Sequence, residues 1–232
     1  SIVTIPVVHW TDGTVYDVAA VGARAREVGA ALVIDGTQSI GALPFSVAEV
    51  RPDLVVAAGY KWLLGPYSTA LTWVGERFTD GVPLEEGWIA REGSEDFQGL
   101  VDYTDAYGPG ALRYDVGERS NFALLPALEA ARGLVNAWTP SGISEYCRTL
   151  SAPLLERARE LGFGLEADAW RAPHLFGLRM PDGLELGELH DALAARRIHV
   201  SLRGSAMRVS PHLYNDEGDV AALVAALAAA VA

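Results

Sequence analysis

Blocks of apolar residues recur along the first third of the chain, and each has the length of one strand or one helix. An apolar, β-branched run over residues 1–8 predicts a strand, and a helix is predicted from a cap at Asp17 to about Gly29. Three continuous hydrophobic runs of strand length follow, over residues 31–34, 54–58 and 69–74. Runs of this kind, separated by helix or turn signals, are typical of strands buried on both faces of a mainly parallel sheet.

The rest of the chain divides into an irregular segment and a second alternating region. Residues 76–120 are rich in Gly, Asp, Glu and aromatic side chains without a clear period, which predicts a long structured excursion with a functional role. Helices are predicted at 122–138, 143–161, 186–196 and from 216 onward, and strands at 174–180, 199–203 and 206–210. The pattern predicts an α/β fold with a large domain over 1–120, and a connecting helix and small C-terminal α+β domain over 121–232.

Composition and charge remove several classes of function. The 232 residues carry a formal net charge of −12 with no basic stripe, which argues against nucleic-acid binding. No apolar run reaches membrane-spanning length, and the opening residues do not resemble a signal peptide, so a cytoplasmic protein is expected. The single cysteine, Cys147, excludes a disulfide within the chain, and the five histidines show no ligand spacing, so no metal site is expected.

Two residues near the ends of neighbouring predicted strands carry the candidate chemistry. Asp35 ends the strand in LVIDGTQSIGALPF, and Lys61 follows the next strand in VVAAGYKWLLGPY. Ligands of open α/β sheets bind in the crevice beyond the carboxyl ends of the strands, so both side chains are expected there. The apolar context of Lys61 is unusual for a solvated surface lysine, and partial withdrawal from water would make its amine a usable nucleophile.

The order D-G-x-Q, strand, Y-K-W-L-L-G-P resembles the class V aminotransferase family of fold-type I pyridoxal-phosphate (PLP) enzymes, and the resemblance extends to RVSPHLYNDEGDV near the end. The family includes kynureninases, cysteine desulfurases and isopenicillin N epimerase-like proteins. The resemblance implies the aspartate aminotransferase-like fold and a homodimer. It also implies that Lys61 forms the Schiff base with PLP and moves the proton at the substrate Cα. A carboxylate at Asp35 would keep the pyridine nitrogen protonated, so that the ring acts as an electron sink.

The resemblance assigns expected roles to further residues. Gln38 would hydrogen-bond the phenolic oxygen of the cofactor. Tyr60 stands where the family often places a phosphate contact or a histidine, and kynureninases resemble this chain in having tyrosine there. Arg208 matches the arginine that grips the substrate α-carboxylate, a task suited to a planar guanidinium. The remaining candidates each have a structural alternative. Ser120 or Asn121 would bind phosphate or cap a helix, Trp88 would contact substrate or pack, and His9 would contact cofactor or support the fold.

Two departures from the family qualify the expected reaction. The turn Arg203-Gly204-Ser205 lacks the loop cysteine that desulfurases need, so a cysteine desulfurase is disfavoured. The N-terminal stretch of family members is missing from the sequence, which led us to expect a fragment, a truncated form or an incomplete record. The prediction is a PLP-dependent aminotransferase or kynureninase-like lyase acting on an amino-acid-like substrate. The alternative is a non-catalytic or truncated PLP-fold protein with a structural or regulatory role.

Overall fold

A computed structural model describes residues 1–117 and 119–231. Its contacts divide the chain into two compact units. The first unit comprises Ser1–Ile5, Val18–Thr37 and Ser46–Gly133, and the second comprises Pro6–Asp17, Gln38–Phe45 and Leu134–Ala232. The division between a large and a small domain after residue 120 stays a prediction.

A four-stranded sheet forms the base of the first unit. Its strands lie in the order β1-β2-β3-β4; they are β1 Ile2–Pro6, β2 Ala31–Asp35, β3 Leu54–Ala58 and β4 Ala70–Val74. The central strands β2 and β3 are parallel, whereas β3 and β4 are antiparallel. Two helices accompany the sheet, α1 Val18–Glu27 and α2 Val47–Val50.

Burial follows the apolar pattern in the central strand β2 but not in β4. In β2, Leu32 and Ile34 are almost completely buried, as the continuous run predicts. The helices α1 and α2 approach closely at Gly22, where a Cβ atom would lie 2.6 Å from the carbonyl oxygen of Val50. Burial on both faces is wrong for β4, which is an edge strand with a largely exposed surface. An apolar run alone does not distinguish an edge strand from a central one.

The excursion after β4 is structured by short 3₁₀ helices, which are Glu76–Phe78, Trp88–Ala90, Gly99–Val101 and Gly110–Tyr114. An ion pair joins Arg91 to Glu86 at 2.5 Å, and the Tyr107 hydroxyl donates to the same carboxylate at 2.7 Å. The Arg91 guanidinium also lies 4.1 Å from the Tyr107 ring centre. These contacts order a segment that has no regular period.

The second unit contains a three-stranded antiparallel sheet and three helices. The sheet has the order β5-β7-β6, with β5 Phe176–Arg179, β6 Ser201–Arg203 and β7 Ala206–Val209. The long helix α3 Leu124–Trp138 leads into this unit, which also holds α4 Pro140–Glu160, α5 Leu186–Ala195 and α6 Glu217–Val231. Its core packs Phe176, Leu178 and Met207 of the sheet with Leu154 and Leu227 of the helices.

Over the residues described, no helix is both long and apolar enough to cross a membrane. The same residues contain no group of three or more His, Cys, Asp or Glu side chains that could hold a metal ion.

Candidate functional site

Asp35 and Lys61 lie at and just after the carboxyl ends of two hydrogen-bonded parallel strands. Asp35 is the last residue of β2 and pairs in register with Val56 of β3, while Lys61 comes three residues after the end of β3. The Asp35 side chain is exposed, and its Oδ1 accepts a hydrogen bond of 2.9 Å from the Thr37 amide. The Thr37 hydroxyl accepts from the Ala58 amide, which ties the two strand ends together. The first unit therefore brings a carboxylate and an amine to the same edge of the sheet, as predicted.

The loop that carries Lys61 is closed by its own backbone. The Gly59 amide donates to the Thr69 carbonyl and the Gly65 amide donates to the Gly59 carbonyl, each at 2.8 Å. A Cβ atom at Gly59 would lie 2.2 Å from Oγ1 of Thr69, so the closure depends on glycine there. Trp62 and Leu63, directly after the lysine, are both buried and anchor the loop. The backbone of Lys61 is therefore fixed on both sides.

Two loop residues adopt backbone conformations that favour glycine. Leu64 has a φ of 56° and Ser68 has a φ of 64°. Left-handed conformations of non-glycine residues cost free energy and persist where the surrounding structure imposes them. The positive φ values of Leu64 and Ser68 therefore indicate that something other than local backbone stability determines the shape of the loop.

Lys61 is the only lysine in the sequence, in which seventeen of the eighteen basic Lys and Arg residues are arginine. The lysine count is a signal for this residue that is independent of its apolar neighbours. A chain that otherwise relies on arginine for its positive charge retains an amine at one position. Arginine cannot replace lysine as a Schiff-base amine, because its guanidinium stays protonated.

An aromatic pair flanks the lysine. The rings of Tyr60 and Tyr67 stack with centroids 4.2 Å apart and an angle of 15° between their planes. The Lys61 Nζ lies 5.8 Å from the centre of the Tyr60 ring, within the range of a cation–π contact. Tyr67 was not among the predicted site residues, since its contact with Tyr60 depends on the closed loop.

In the second unit, buried His174 supports the backbone at Gln38. Its Nε2 donates a 2.7 Å hydrogen bond to the Gln38 carbonyl oxygen, and both residues are buried. Burial lowers the pKa of His174 to about 4; the bond to Gln38 opposes this effect, and the nearby His212 adds to it. His174 is therefore neutral at physiological pH. No sequence pattern indicates this pairing, whose members are 136 positions apart.

His9 lies in a turn where polar side chains hold its ring. Its Nδ1 is 3.1 Å from Oδ1 of Asp12 and 2.5 Å from Oγ1 of Thr11. Burial raises the pKa of Asp12, but hydrogen bonds from Thr14 and His9 outweigh that effect and hold the pKa below its usual value. These contacts fit the structural alternative for His9, while its contact with cofactor or substrate stays a prediction.

Arg208 lies in β7 beside a second arginine. Its Nη1 donates to the Trp10 carbonyl at 2.6 Å, and its buried Nε has no hydrogen-bond partner among the described residues. Burial lowers the pKa of Arg208, and the positive charge of Arg203 lowers it further. Arg203 itself lies 5.9 Å from the Trp10 ring centre. Two neighbouring guanidinium groups favour an anionic ligand, and Arg203 was absent from the predicted site.

The candidates in and after the excursion have exposed positions. Asn121 Oδ1 accepts from the amide of Leu124 at 2.9 Å, which is the helix-capping alternative at the start of α3. Ser120 is exposed beside it. Trp88 is 47% exposed and meets the ring of Phe97 edge-on at 6.0 Å. Their roles in phosphate and substrate binding stay predictions.

Cys147 lies inside α4 and is completely buried. Its Sγ donates to the Pro211 carbonyl at 3.4 Å, and burial raises the pKa of the thiol to about 11. A buried, protonated thiol is a poor nucleophile.

Comparison with known proteins confirms the resemblance to class V aminotransferases. Residues 1–87 match the family described as Aminotransferase class-V, and this segment contains Asp35, Gln38, Tyr60 and Lys61. The "Uncharacterized aminotransferase YcbU" of Bacillus subtilis (strain 168) is 28% identical over 218 residues, covering 93% of this chain and 56% of that protein. The kynureninase of Stenotrophomonas maltophilia (strain K279a) is 33% identical over 111 residues, covering 47% of this chain and 26% of the enzyme.

Solved structures at low sequence identity share the fold of this chain. The cystine C-S lyase C-DES, in complex with its reaction product cysteine persulfide, superimposes with a TM-score of 0.85 at 21% identity. The alignment covers 98% of this chain and 60% of that one. A mutant of C-DES, with glycine covalently linked to its PLP cofactor, gives a TM-score of 0.84. This chain thus spans 56% of the length of YcbU and 60% of that of C-DES.

Proposed function

We propose that this chain, similar to class V aminotransferases, carries the reactive lysine of a PLP-dependent enzyme that acts on an amino-acid-like substrate. One observation carries the proposal. The only lysine of the chain lies in a closed, strained loop directly after β3, at the sheet edge where β2 ends in Asp35. A solvated surface lysine would need neither the closed loop nor its conformational cost.

The residues present fit PLP. The exposed Asp35 carboxylate suits the pyridine nitrogen, and the Lys61 amine suits the aldehyde carbon. Both extend from carboxyl ends of parallel strands, where ligands of α/β sheets bind. When bound, PLP supplies an electron sink that stabilises negative charge at the substrate Cα.

Side chains of this protein would supply the proton transfer, the contacts to the cofactor and the binding of the substrate carboxylate. Lys61 would move the proton at the substrate Cα, and its Nζ lies 5.8 Å from the centre of the Tyr60 ring. Asp35 would keep the pyridine nitrogen protonated, and Gln38 would contact the phenolic oxygen. Arg208 would bind the substrate α-carboxylate, and its buried Nε without a hydrogen-bond partner among the described residues, together with the neighbouring Arg203, supports this role.

The second part of the proposal concerns the type of reaction. We favour an aminotransferase or a kynureninase-like lyase over a cysteine desulfurase. The turn between β6 and β7 has no cysteine, and the thiol of Cys147 is buried and protonated. The likeness to C-DES, described with cysteine persulfide, keeps a persulfide-yielding lyase within the range of reactions to be tested.

Absorbance spectroscopy of the 232-residue chain with PLP, before and after borohydride, tests the cofactor chemistry. We expect a visible band that borohydride removes, leaving a pyridoxyl group on the peptide that contains Lys61. Since no other lysine is present, the terminal α-amine is the one competing primary amine, and peptide mapping distinguishes the two. Lys61→Arg is the matched variant, because it keeps the positive charge and removes the amine.

A band of unchanged intensity in Lys61→Arg would refute the assignment of the lysine. If neither variant nor parent gives a band, the same measurement is made on a longer version of the protein that spans the full length of its relatives. Absence of the band there as well would refute the PLP proposal.

A further inference from the structure

The second unit contains a cavity of about 580 Å³ that none of the roles above uses. Helix α4, the segment that follows α5, the end of β7 with the segment after it, and the start of α6 supply its walls. Its apolar lining includes Leu154, Ile198, Val200, Val209, Val220 and Leu223. Cavities of this size hold small organic ligands, and an apolar lining with a few polar groups is their usual composition.

The cavity is separate from Arg208 although both involve β7. Side chains of adjacent residues in a strand point to opposite faces of the sheet. Val209 lines the cavity and packs in the core, so Arg208 lies on the other face of β7. The Arg208 guanidinium, accordingly, donates to Trp10, which does not line the cavity. A ligand in this cavity would therefore not replace one held by Arg208.

The Asp219 carboxylate and the Asn215 side-chain amide, which both line the cavity, form hydrogen bonds with each other and with the start of α6. Asp219 Oδ2 accepts from the Asn215 side chain at 3.0 Å and from the Asp216 amide, while the Asp216 side chain accepts from the Asp219 amide. This reciprocal arrangement caps α6. Asn215 Oδ1 accepts from the amide of His212. The charge of Asp219 is therefore engaged at the helix start.

The basic side chains that line the cavity have fewer hydrogen-bond partners than the acidic one. Arg196 donates to the Ala192 carbonyl at the end of α5. Within the described part of the chain, the guanidinium of Arg197 has no hydrogen-bond or ion-pair partner, and Arg197 and His199 are both exposed. Arg197 also has a φ of 59°, a strained conformation for a non-glycine residue at the turn that leads into the cavity wall. A protein with a net charge of −12 thus presents two adjacent arginines beside an apolar cavity.

We propose that this cavity binds a small amphipathic carboxylate, with the carboxylate at Arg197 and His199 and the apolar part against Ile198, Val200 and Val220, which line the cavity and are only partly buried. A guanidinium pairs well with a carboxylate through two parallel hydrogen bonds. The ligand's apolar part would remove from water the apolar surface that the partly buried side chains of the lining still expose. The proposal is independent of the PLP chemistry, since no residue of the cavity takes part in it.

Binding of 4-phenylbutanoate to the 232-residue chain, measured by ligand-detected NMR titration, tests the proposal. A dissociation constant on the order of 0.1–1 mM is expected for a probe of this size. Arg197→Gln should weaken binding roughly fivefold to tenfold, as expected for loss of a charge-assisted hydrogen bond. Ala222→Trp, at an exposed α6 position that lines the cavity, should abolish binding by filling it.

The controls separate charge, cavity and general surface binding. Arg157→Gln removes an exposed arginine of α4 that pairs with Glu160 outside the cavity, and it should leave the dissociation constant unchanged. The amine 4-phenylbutylamine, which has the same apolar body, should bind at least tenfold more weakly. Circular dichroism confirms that each variant is folded. Absence of saturable binding, equal binding of the amine, or binding unaffected by Arg197→Gln and Ala222→Trp would overturn the proposal.

Discussion

Tyr60 and Tyr67 stack face to face, with ring centroids 4.2 Å apart, on the loop that carries Lys61. Tyr67 is 73% exposed and Tyr60 is 39% exposed, so burial alone does not explain their arrangement. The stacked pair holds the Tyr60 ring near the Lys61 amine, 5.8 Å from Nζ. We predict that Tyr67 acts on the lysine by holding the Tyr60 ring in place.

Replacing Tyr67 should loosen the ring of Tyr60 without removing it. Tyr67→Ala is expected to cost about 0.5–1.5 kcal/mol of unfolding free energy, the usual contribution of an aromatic pair. It should also weaken the borohydride-sensitive PLP band. Tyr67→Phe keeps the stack and serves as the matched control, with stability and band close to those of the parent. Equal loss in both variants would contradict a role for the stacked ring.

The sequence predicted the elements well where a period or a continuous run was long enough to identify them. The observed bounds of β3, Leu54–Ala58, are those predicted, because a continuous apolar run with clear turn signals marks such a strand. The four-residue α2 was missed, since it is too short to show a helical period. The exposure of β4 was missed because strand order is a property of the tertiary fold.

The candidate site was predictable to the extent that it depends on strand ends. Asp35 and Lys61 were identified because parallel neighbouring strands bring their carboxyl ends to the same edge. Arg203 and His174 were missed, since each acts through a contact that the folded chain creates. The number of lysines was a signal in the sequence itself, and it would have strengthened the prediction for Lys61.

Asp35→Asn tests the carboxylate at the end of β2. The amide keeps the shape of the side chain and loses the charge that would hold the pyridine nitrogen protonated. We expect PLP to bind roughly 10- to 100-fold more weakly, the usual loss when a charged hydrogen-bonding partner is removed. Asp80→Asn, at an exposed position after β4, is the matched control and should bind PLP like the parent. Unchanged affinity in Asp35→Asn, measured by equilibrium dialysis, would remove Asp35 from the site.

Gly59→Ala should damage the closure of the lysine loop. The added Cβ would lie 2.2 Å from Thr69 Oγ1 and 2.9 Å from the Thr69 carbonyl oxygen, so the backbone must move. Overpacking of this kind costs about 1–3 kcal/mol, measurable by urea unfolding. Gly133→Ala in α3 is the matched control, since nothing lies within 4 Å of its Cβ and alanine should stabilise the helix by about 0.5–1 kcal/mol. A Gly59→Ala variant as stable as the parent would show that the loop accommodates the methyl group.

The Cys147 thiol should be unreactive in the folded protein. It is completely buried, and burial raises its pKa to about 11, so the thiolate is both scarce and shielded at pH 8. We expect an aromatic disulfide reagent to modify one thiol per chain in guanidinium chloride and almost none in native buffer. Prompt modification of the native protein would contradict this environment and reopen a catalytic role for the cysteine.

His174 should make the stability of the protein fall as the pH falls below neutrality. Its pKa is about 4 when folded and 6.5 in the unfolded chain, so between these values the unfolded chain binds a proton that the folded chain does not. The contribution of neutral His174 to the free energy of unfolding is present above pH 6.5 and is lost as the pH falls towards 4. Between pH 7 and pH 5 the free energy of unfolding should fall by up to roughly 2 kcal/mol. Burial lowers the pKa of His212 as well, which acts in the same direction.

His174→Gln separates the two histidines, because a glutamine amide can donate to the Gln38 carbonyl without titrating. Urea unfolding at pH 7, 6 and 5 should show a smaller fall in free energy for this variant than for the parent. His199→Gln, at an exposed position, should retain the slope of the parent. If His174→Gln loses stability with pH as steeply as the parent does, protonation of His174 is not the cause, and the buried bond to Gln38 has a purely structural role.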